Sequence, residues 1–326
     1  MHQFHKFKPS LFFFIALLMS FSACVPAAVS VAESAEAPVA AVSEFAAVKF
    51  TDSIGREIVI DAPPARIVSL APSITESLYA IGAGDLLVGR TDFCDYPEEA
   101  TALPSVGGFD ASTISVETVL ALEPDLVIGG SIYQADLALS LSTAGIPVFI
   151  MEPQSVEEVL ISLQMLGKVT NHAGDADALV ADMQNRIAAV AQTVDAIPQD
   201  ERPSVFYEVW ADPYMTTSNQ TYIGELIAMA GGVNIFADLK EDYPAISAEE
   251  IIAKDPQIIL GPSNHADQLT GDAIAGREGW GNITAVKKQR IYIVDGNIIS
   301  RTGPRVVDAL EAIATGLYPD KFGGQP

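Results

Sequence analysis

The sequence predicts an α/β chain of two similar lobes, each built on a central parallel sheet, joined by one long helix. Three observations carry that prediction. First, 175–197 reads as one uninterrupted helix, because Val180, Met183, Ile187, Val190 and Val194 step by three and four residues and put a narrow apolar stripe along one face. Asp175 is positioned to cap its start and Pro198 to end it, since proline cannot continue the backbone ladder. At 1.5 Å per residue it would be about 34 Å long, the width of a small domain. No partner helix is evident beside it in sequence, so it reads as a rod. Second, 114–129 (ISVETVLALEPDLVIG) aligns without a gap on 246–261 (ISAEEIIAKDPQIILG), on either side of the rod. Each copy reads as a serine-capped helix, a proline break, a short buried strand and a glycine turn. The shared serine with a glutamate two residues later favours duplication over chance likeness. Third, short apolar strands alternate with helical segments on both sides of the rod, the pattern of helix-covered parallel sheets.

In chain order, 1–23 reads as an export signal. His2, His5, Lys6 and Lys8 make a polar to basic start, and 11–19 (LFFFIALLM) is an apolar run too short to span a bilayer as a mature helix. Ser22 and Ala23 then precede Cys24, an arrangement that resembles a bacterial lipoprotein signal, with Phe21 where that motif usually has leucine. The resemblance implies lipidation at Cys24 and attachment to the membrane; an ordinary secretory signal cut nearby is the alternative, and both lead out of the cytoplasm. Residues 24–46, rich in Ala, Val, Ser, Glu and Pro, read as a flexible tether. The expected division continues with a first lobe over 47–154, connecting helices over 155–198, a second lobe over 199–318 and a tail over 319–326.

Composition narrows the function. Beyond position 23 the chain carries 16 basic and 42 acidic residues, a net charge of −26, which argues against binding nucleic acid or an anionic membrane surface through the folded body. After Cys24 the only cysteine is Cys94, so no internal disulfide can form and the fold must rely on packing.

Within the first lobe, 50–60 reads as a hairpin turning at 53–56, and 66–70 as a buried strand followed by a helix to Ile81, with Ser73 or Thr75 as its cap. Strands follow at 86–89, 126–128 and 147–150, and Ser155-Val156-Glu157-Glu158 reads as a capping box opening a helix to about Val169. Gly82, Gly84 and Gly89 close a helix and lack the spacing of a dinucleotide fingerprint, so the lobes are Rossmann-like in layout without a nucleotide site. Past the rod, 205–209, 258–260 and 291–294 read as strands of a second lobe that repeats the first.

Residues 65–76 (ARIVSLAPSITE), 91–97 (TDFCDYP), 123–127 (EPDLV) and 303–307 (GPRVV) together resemble the helical-backbone class of periplasmic substrate-binding proteins, the receptors of ABC importers for cobalamin, ferric siderophores and haem. The resemblance covers roughly 50–318. It implies a ligand cleft between the lobes, small lobe movements limited by the rod, and a monomer that hands its ligand to a permease dimer with ATPase subunits. It also implies that Glu117 and Glu249, the glutamates of the internal repeat, dock on the permease; a first-turn glutamate favoured by the helix dipole is the plainer alternative for each. The aromatic cleft positions of the family correspond to Phe93, Phe109 and Tyr243. Some cobalamin-binding members carry tryptophan where this chain has Phe109, Gly130 and Tyr243. Trp210 and Tyr214 follow the first strand of the second lobe, where the cleft is expected. Arg301 could meet a carboxylate, amide or phosphate at the cleft edge, or form an ion pair within the second lobe.

Direct metal binding is not expected: beyond the signal only His172 and His265 remain, and a zinc or manganese site needs several histidines and carboxylates. Cys94 reads as a small buried thiol, with contact to a cobalt or iron centre as the alternative. No cofactor is expected; the bound ligand is expected to be a corrinoid or ferric chelate. Two other classes compete: an extracytoplasmic enzyme, for which the chain offers neither a GxSxG elbow nor a recognisable triad motif, and a lipoprotein sensor or adhesin without a permease.

Overall fold

The computed structural model describes residues 45–263 and 269–323. The expected signal at 1–23, Cys24, the tether as far as residue 44, and His265 lie outside the described residues. The chain opens with an antiparallel hairpin, β1 (Val48–Thr51) and β2 (Glu57–Ile60). The first lobe then runs β3 (Ile67–Ser69), α1 (Pro72–Ala80), β4 (Leu87–Gly89), α2 (Val116–Ala121), β5 (Leu126–Gly129), α3 (Ala135–Thr143) and β6 (Val148–Ile150). Its four strands are parallel, in the order β4-β3-β5-β6. Next come α4 (Val156–Val169) and α5 (Ala173–Asp195). The second lobe is β7 (Ser204–Tyr207), the small antiparallel hairpin β8 (Trp210–Ala211) and β9 (Tyr214–Met215), α6 (Tyr222–Met229), β10 (Val233–Asn234), α7 (Ala248–Lys254), β11 (Ile258–Pro262), α8 (Gly271–Ala275), α9 (Thr284–Lys287), β12 (Ile291–Val294), α10 (Gly296–Ile299), α11 (Val306–Leu317) and α12 (Pro319–Phe322).

The second sheet has the order β10-β7-β11-β12 and is also parallel. Counted within its lobe, each sheet reads second, first, third, fourth strand. The internal repeat falls on corresponding parts, with α2 leading to β5 and α7 leading to β11. Ser115 and Ser247 both cap their helices, each accepting an N–H three residues on. Glu123 and Asp255, each before a proline, both turn through the left-handed region (φ 48° and 42°), because the following proline disfavours a further helical residue. One residue past each proline, the Asp125 carboxylate accepts the backbone N–H of Ala65 and Arg66, and Gln257 Oε1 accepts that of Ser204. These bonds tie the start of the third strand to the start of the first in both lobes.

Strand alternation sorts the core into layers. Ile67, Leu126 and Ile128 of the first sheet and Val205, Tyr207, Ile258 and Leu260 of the second belong to one apolar cluster with α1, α4, α5, α6 and α11. The intervening residues face outward. Val68 and Val127 join a separate core under α2 and α3, while Phe206 and Ile259 join another with Trp280. The two lobes therefore share one helical layer.

The long helix differs from the expectation at its start and in its company. It begins at Ala173 with His172 as N-cap and no side-chain capping bond; Asp175 sits in the first turn, where a carboxylate complements the helix dipole. Ala176, Val180, Met183, Val190 and Val194 are buried, and Ile187 is half-buried. The expected lone rod is instead half of a helical hairpin, for α4 packs along α5 after a tight turn in which Asn171 adopts φ 62°. Gly167 permits the approach: a Cβ there would overlap the Ala176 methyl and lie 3.0 Å from the His172 carbonyl oxygen. On the far side Arg186 donates to Glu311 and Asp308, clamping α5 to α11. Two other caps differ. Ala71 precedes α1, with Pro72 as its first residue, while Ser73 and Thr75 are buried inside the helix. In α4 the Glu158 carboxylate accepts from the Gln154 N–H instead of from the Ser155 cap.

Gly167→Val is expected to force α4 and α5 apart and lower stability by about 1–3 kcal/mol, as overpacking does; urea unfolding followed by far-UV circular dichroism measures it.

Candidate ligand cleft

Parallel sheets converge loops at the carboxyl ends of their strands, and such a crevice is where ligands enter open α/β folds. Here both lobes turn those ends toward one another. The segment after β3 supplies Ala71, Pro72 and Ser73, that after β5 supplies Gly130, and that after β6 supplies Glu152, Pro153 and Gln154. From the second lobe, the start of α6 supplies Tyr222, the loop before α7 supplies Tyr243, and the segment after β12 supplies Asn297, Arg301 and Thr302. Phe93 and Phe109 complete the first-lobe wall of a cleft of about 520 Å³, within the usual range for small-molecule sites. Of the sequence-derived candidates, Phe93, Phe109, Tyr243 and Arg301 meet here. Gly130 lies on the floor, where a Cβ would overlap that of Ala71; a tryptophan at this position would need the strand end rebuilt.

Trp210 and Tyr214 are not among the cleft-lining residues. The β8–β9 hairpin turns away immediately after β7: Trp210 is 43% exposed and donates from its indole N–H to the Asp212 carbonyl. Tyr214 stacks beside Trp280, at 5.5 Å between ring centres, and beneath the Arg277 guanidinium at 5.2 Å. Arg277 in turn makes a two-pronged ion pair with the buried Glu208, whose carboxyl burial pushes up in spite of the guanidinium. Tyr214 therefore belongs to the outer core of the second lobe.

Arg301 lines the cleft, but the ion pairs it makes cross to the first lobe instead of staying within the second. Its partners belong mostly to the other lobe. Nη1 donates to Glu76 Oε1 (2.8 Å) and Asp95 Oδ1 (2.7 Å), and Nη2 donates to the Phe93 carbonyl (3.3 Å) and Asn297 Oδ1 (2.8 Å). Arg305 grips the same Glu76 through Nε (2.8 Å) and Nη2 (2.7 Å), and lies over the Tyr96 ring at 4.1 Å. Glu76 is 2% exposed, so a buried carboxylate on α1 is held between two guanidinium groups from the segment leading into α11. Beside it, Gly303 brings its backbone so close that a Cβ would sit 3.3 Å from the Ser73 carbonyl oxygen. Burial pushes the Asp95 carboxyl up, but the hydrogen bond and charge of Arg301, helped by the Arg305 charge, hold it below the ordinary aspartate value. Glu76 and Arg305 stand in two of the motifs quoted above, but their pairing across 229 positions leaves no local signal in the chain. Burial pushes the hydroxyls of Tyr222 and Tyr243 up, so both stay protonated near neutral pH; Tyr222 donates a hydrogen bond to the Ile299 carbonyl.

Away from the cleft, Glu117 and Glu249 hold corresponding exposed positions in the first turns of α2 and α7. Cys94 is buried, with its thiol against Thr91 Oγ1 at 3.2 Å. His172 Nδ1 contacts the Thr170 carbonyl. Among the described residues no three of His, Cys, Asp and Glu are grouped to hold a metal ion, and no helix is long and apolar enough to cross a membrane.

Residues 67–298 match the sequence profile described as periplasmic binding protein. The chain belongs to that family. This binding protein is 34% identical, over 86% of its length and 88% of the other, to the uncharacterized ABC transporter substrate-binding lipoprotein YvrC of Bacillus subtilis. It is 32% identical to a cobalamin-binding protein of Halobacterium salinarum, over 82% of this chain and 73% of that one. Among solved structures, a possible iron-binding periplasmic solute-binding protein from Staphylococcus epidermidis is 27% identical and superposes with a TM-score of 0.70, covering 79% of this chain and all of the other. The binding protein is thus an extracytoplasmic substrate-binding component of ABC transport and not an enzyme. Its two-lobed α/β architecture with a long connecting helix is that of the helical-backbone class.

Removing one partner of a buried ion pair strands the others. Glu76→Gln is expected to cost about 3–5 kcal/mol, read from the urea midpoint. A carboxyl with a depressed folded-state pKa adds stability above its unfolded value of about 3.9, and that stability is lost as pH falls through the lower folded value. Below about pH 4, Asp95→Asn should therefore show a shallower acid-induced fall in stability than the unsubstituted protein.

Proposed function

We propose that the cleft captures a large metal chelate, a corrinoid before any other, and that the protein delivers it to an ABC permease dimer driven by separate ATPase subunits. The observation that carries the reading is the pair of aromatic walls. Phe93 and Phe109 approach from one lobe and Tyr222 and Tyr243 from the other, an arrangement suited to the faces of a broad, mostly apolar ring system. The polar groups between them, Ser73, Gln154, Asn297 and Thr302, suit peripheral amides better than a bare ion. With a volume of about 520 Å³, the cleft would take the ring edge and one face, and the remainder of the ligand would project through the mouth. Likeness to the Halobacterium cobalamin-binding protein supports the corrinoid. Likeness to the possible iron-binding protein of Staphylococcus epidermidis supports the second reading, a ferric siderophore or haem in the same cleft.

For delivery, we assign Glu117 and Glu249 to permease docking. They are exposed, they occupy equivalent turns of two related lobes, and two separated like charges can engage a two-fold basic partner and fix its orientation. Cys24 is the proposed lipid attachment point, in keeping with the lipoprotein of Bacillus subtilis. The protein acts as a monomer in this scheme.

Calorimetric titration with cyanocobalamin, several ferric siderophores and haem tests the ligand. One-to-one binding of cyanocobalamin, weakened at least tenfold (about 1.4 kcal/mol) by Phe93→Ala or Tyr243→Ala, is expected; binding of an iron chelate alone would move the function to iron acquisition. Glu117→Arg combined with Glu249→Arg is expected to abolish uptake into cells while ligand affinity stays near that of the unsubstituted protein. A parallel loss of affinity would instead assign those residues to the cleft or the fold.

A further inference from the structure

Among the described residues the cleft is lined by a single cationic side chain, Arg301, and a single carboxylate, Glu152. An arginine facing a ligand site ordinarily invites a carboxylate or phosphate, because its guanidinium offers paired donors to such groups. Here the donors of both terminal nitrogens are taken. Four acceptors surround the two terminal nitrogens: Glu76, Asp95, Asn297 and the Phe93 carbonyl. Two of them are carboxylates, and Arg305 is committed to Glu76 as well. Glu76, at 1% side-chain exposure, cannot leave without stranding two guanidinium groups. Asp95 is different: its side chain is 50% exposed, on the loop that also carries Phe93. Glu152, across the cleft, takes hydrogen bonds from the Ile132 N–H (2.7 Å) and the Ser131 hydroxyl (3.4 Å), neutral donors that leave its charge in place. Among the described residues, then, two guanidinium groups face three carboxylates, inside a protein whose overall balance is strongly acidic.

We propose that Asp95 determines the charge specificity of the cleft: by occupying Arg301 it screens the guanidinium that lines it, so that the site accepts chelates that are neutral or cationic and disfavours those with net negative charge. An anionic ligand would have to displace Asp95 from Arg301 and leave that carboxylate, Glu152 and its own charge close together. Discrimination by repulsion of this kind needs no added contact to the preferred ligand. The proposal rests on the reading of the cleft as a chelate site and narrows it, favouring amide-rimmed rings over carboxylate-rich iron complexes.

The test uses ligand pairs matched in shape and different in charge, titrated into the full-length protein at fixed ionic strength. One pair is cyanocobalamin and its monocarboxylate, in which a peripheral amide has been hydrolysed. The other is a cationic trihydroxamate–iron complex and its succinylated, anionic derivative. In the unsubstituted protein the uncharged or cationic member of whichever pair binds should be preferred. In Asp95→Asn the ratio of Kd for the anionic member to Kd for its counterpart should fall roughly tenfold or more, since like charges brought together across an interface are costly. Adding Arg301→Ala to Asp95→Asn should abolish that gain, which a merely structural role for Asp95 would not do. A chelate that binds with the same charge ratio in both proteins overturns the proposal and leaves the chelate reading standing. Failure of all four ligands to bind either protein overturns the chelate reading, and the proposal with it.

Discussion

Everything in this molecule depends on a shared layer of apolar contact. Each sheet turns alternate side chains toward the same set of helices, so Ile67, Leu126 and Ile128 from one lobe and Val205, Ile258 and Leu260 from the other are parts of one core. The α4–α5 hairpin lies within that layer, and its closeness is set by Gly167 against Ala176. Because the helices touch both sheets, they fix the distance and angle at which the carboxyl ends of the strands confront each other. The width of the cleft follows from that. So does the reach of Arg301 and Arg305 to Glu76, which would fail if the lobes stood even one side chain farther apart.

The cleft combines rigid and adaptable parts. Its floor is built from short segments just past strands β3, β5 and β6, where backbone bonds such as Leu70 N–H to the Ile128 carbonyl continue the sheet. Gly130 lets two of those segments touch. The aromatic walls are less constrained, for Phe93 is 56% and Tyr243 38% exposed. A large ligand would therefore cover apolar surface that water now meets, while the strands beneath have no need to move. The charged cluster beside the floor has two grades of commitment, with Glu76 fully enclosed and Asp95 at the surface of the same network.

The parts of this architecture legible in the sequence are those with local causes. The repeat at 114–129 and 246–261 carried real structural equivalence, down to the left-handed residue before each proline and the side chain after it that ties two strands together. Strand positions followed from short β-branched runs, and Pro198 marked the end of the long helix. The helical hairpin has no such local cause: a packed partner leaves only a glycine as its signature, and Gly167 within an amphipathic helix says nothing of what approaches it. In the site, Phe93, Phe109, Tyr243 and Arg301 were reached through motifs. Trp210 and Tyr214 were drawn there by their place after the first strand, yet a two-residue hairpin redirects them, and the buried Glu208–Arg277 pair fixes Tyr214 elsewhere. The partners of Arg301 could not be foreseen, since more than 200 positions separate it from Glu76 and Asp95.

The shared helical layer has a consequence for how the protein comes apart. A chain with two lobes ordinarily offers two cooperative units, each able to open while the other persists. Here the inner face of each sheet is covered by helices that the other sheet also needs. Unravelling one lobe would expose the apolar faces of α4, α5 and α11 on behalf of both. Two lobes in shape are therefore one unit in free energy, and the chain has given up the independence of its halves.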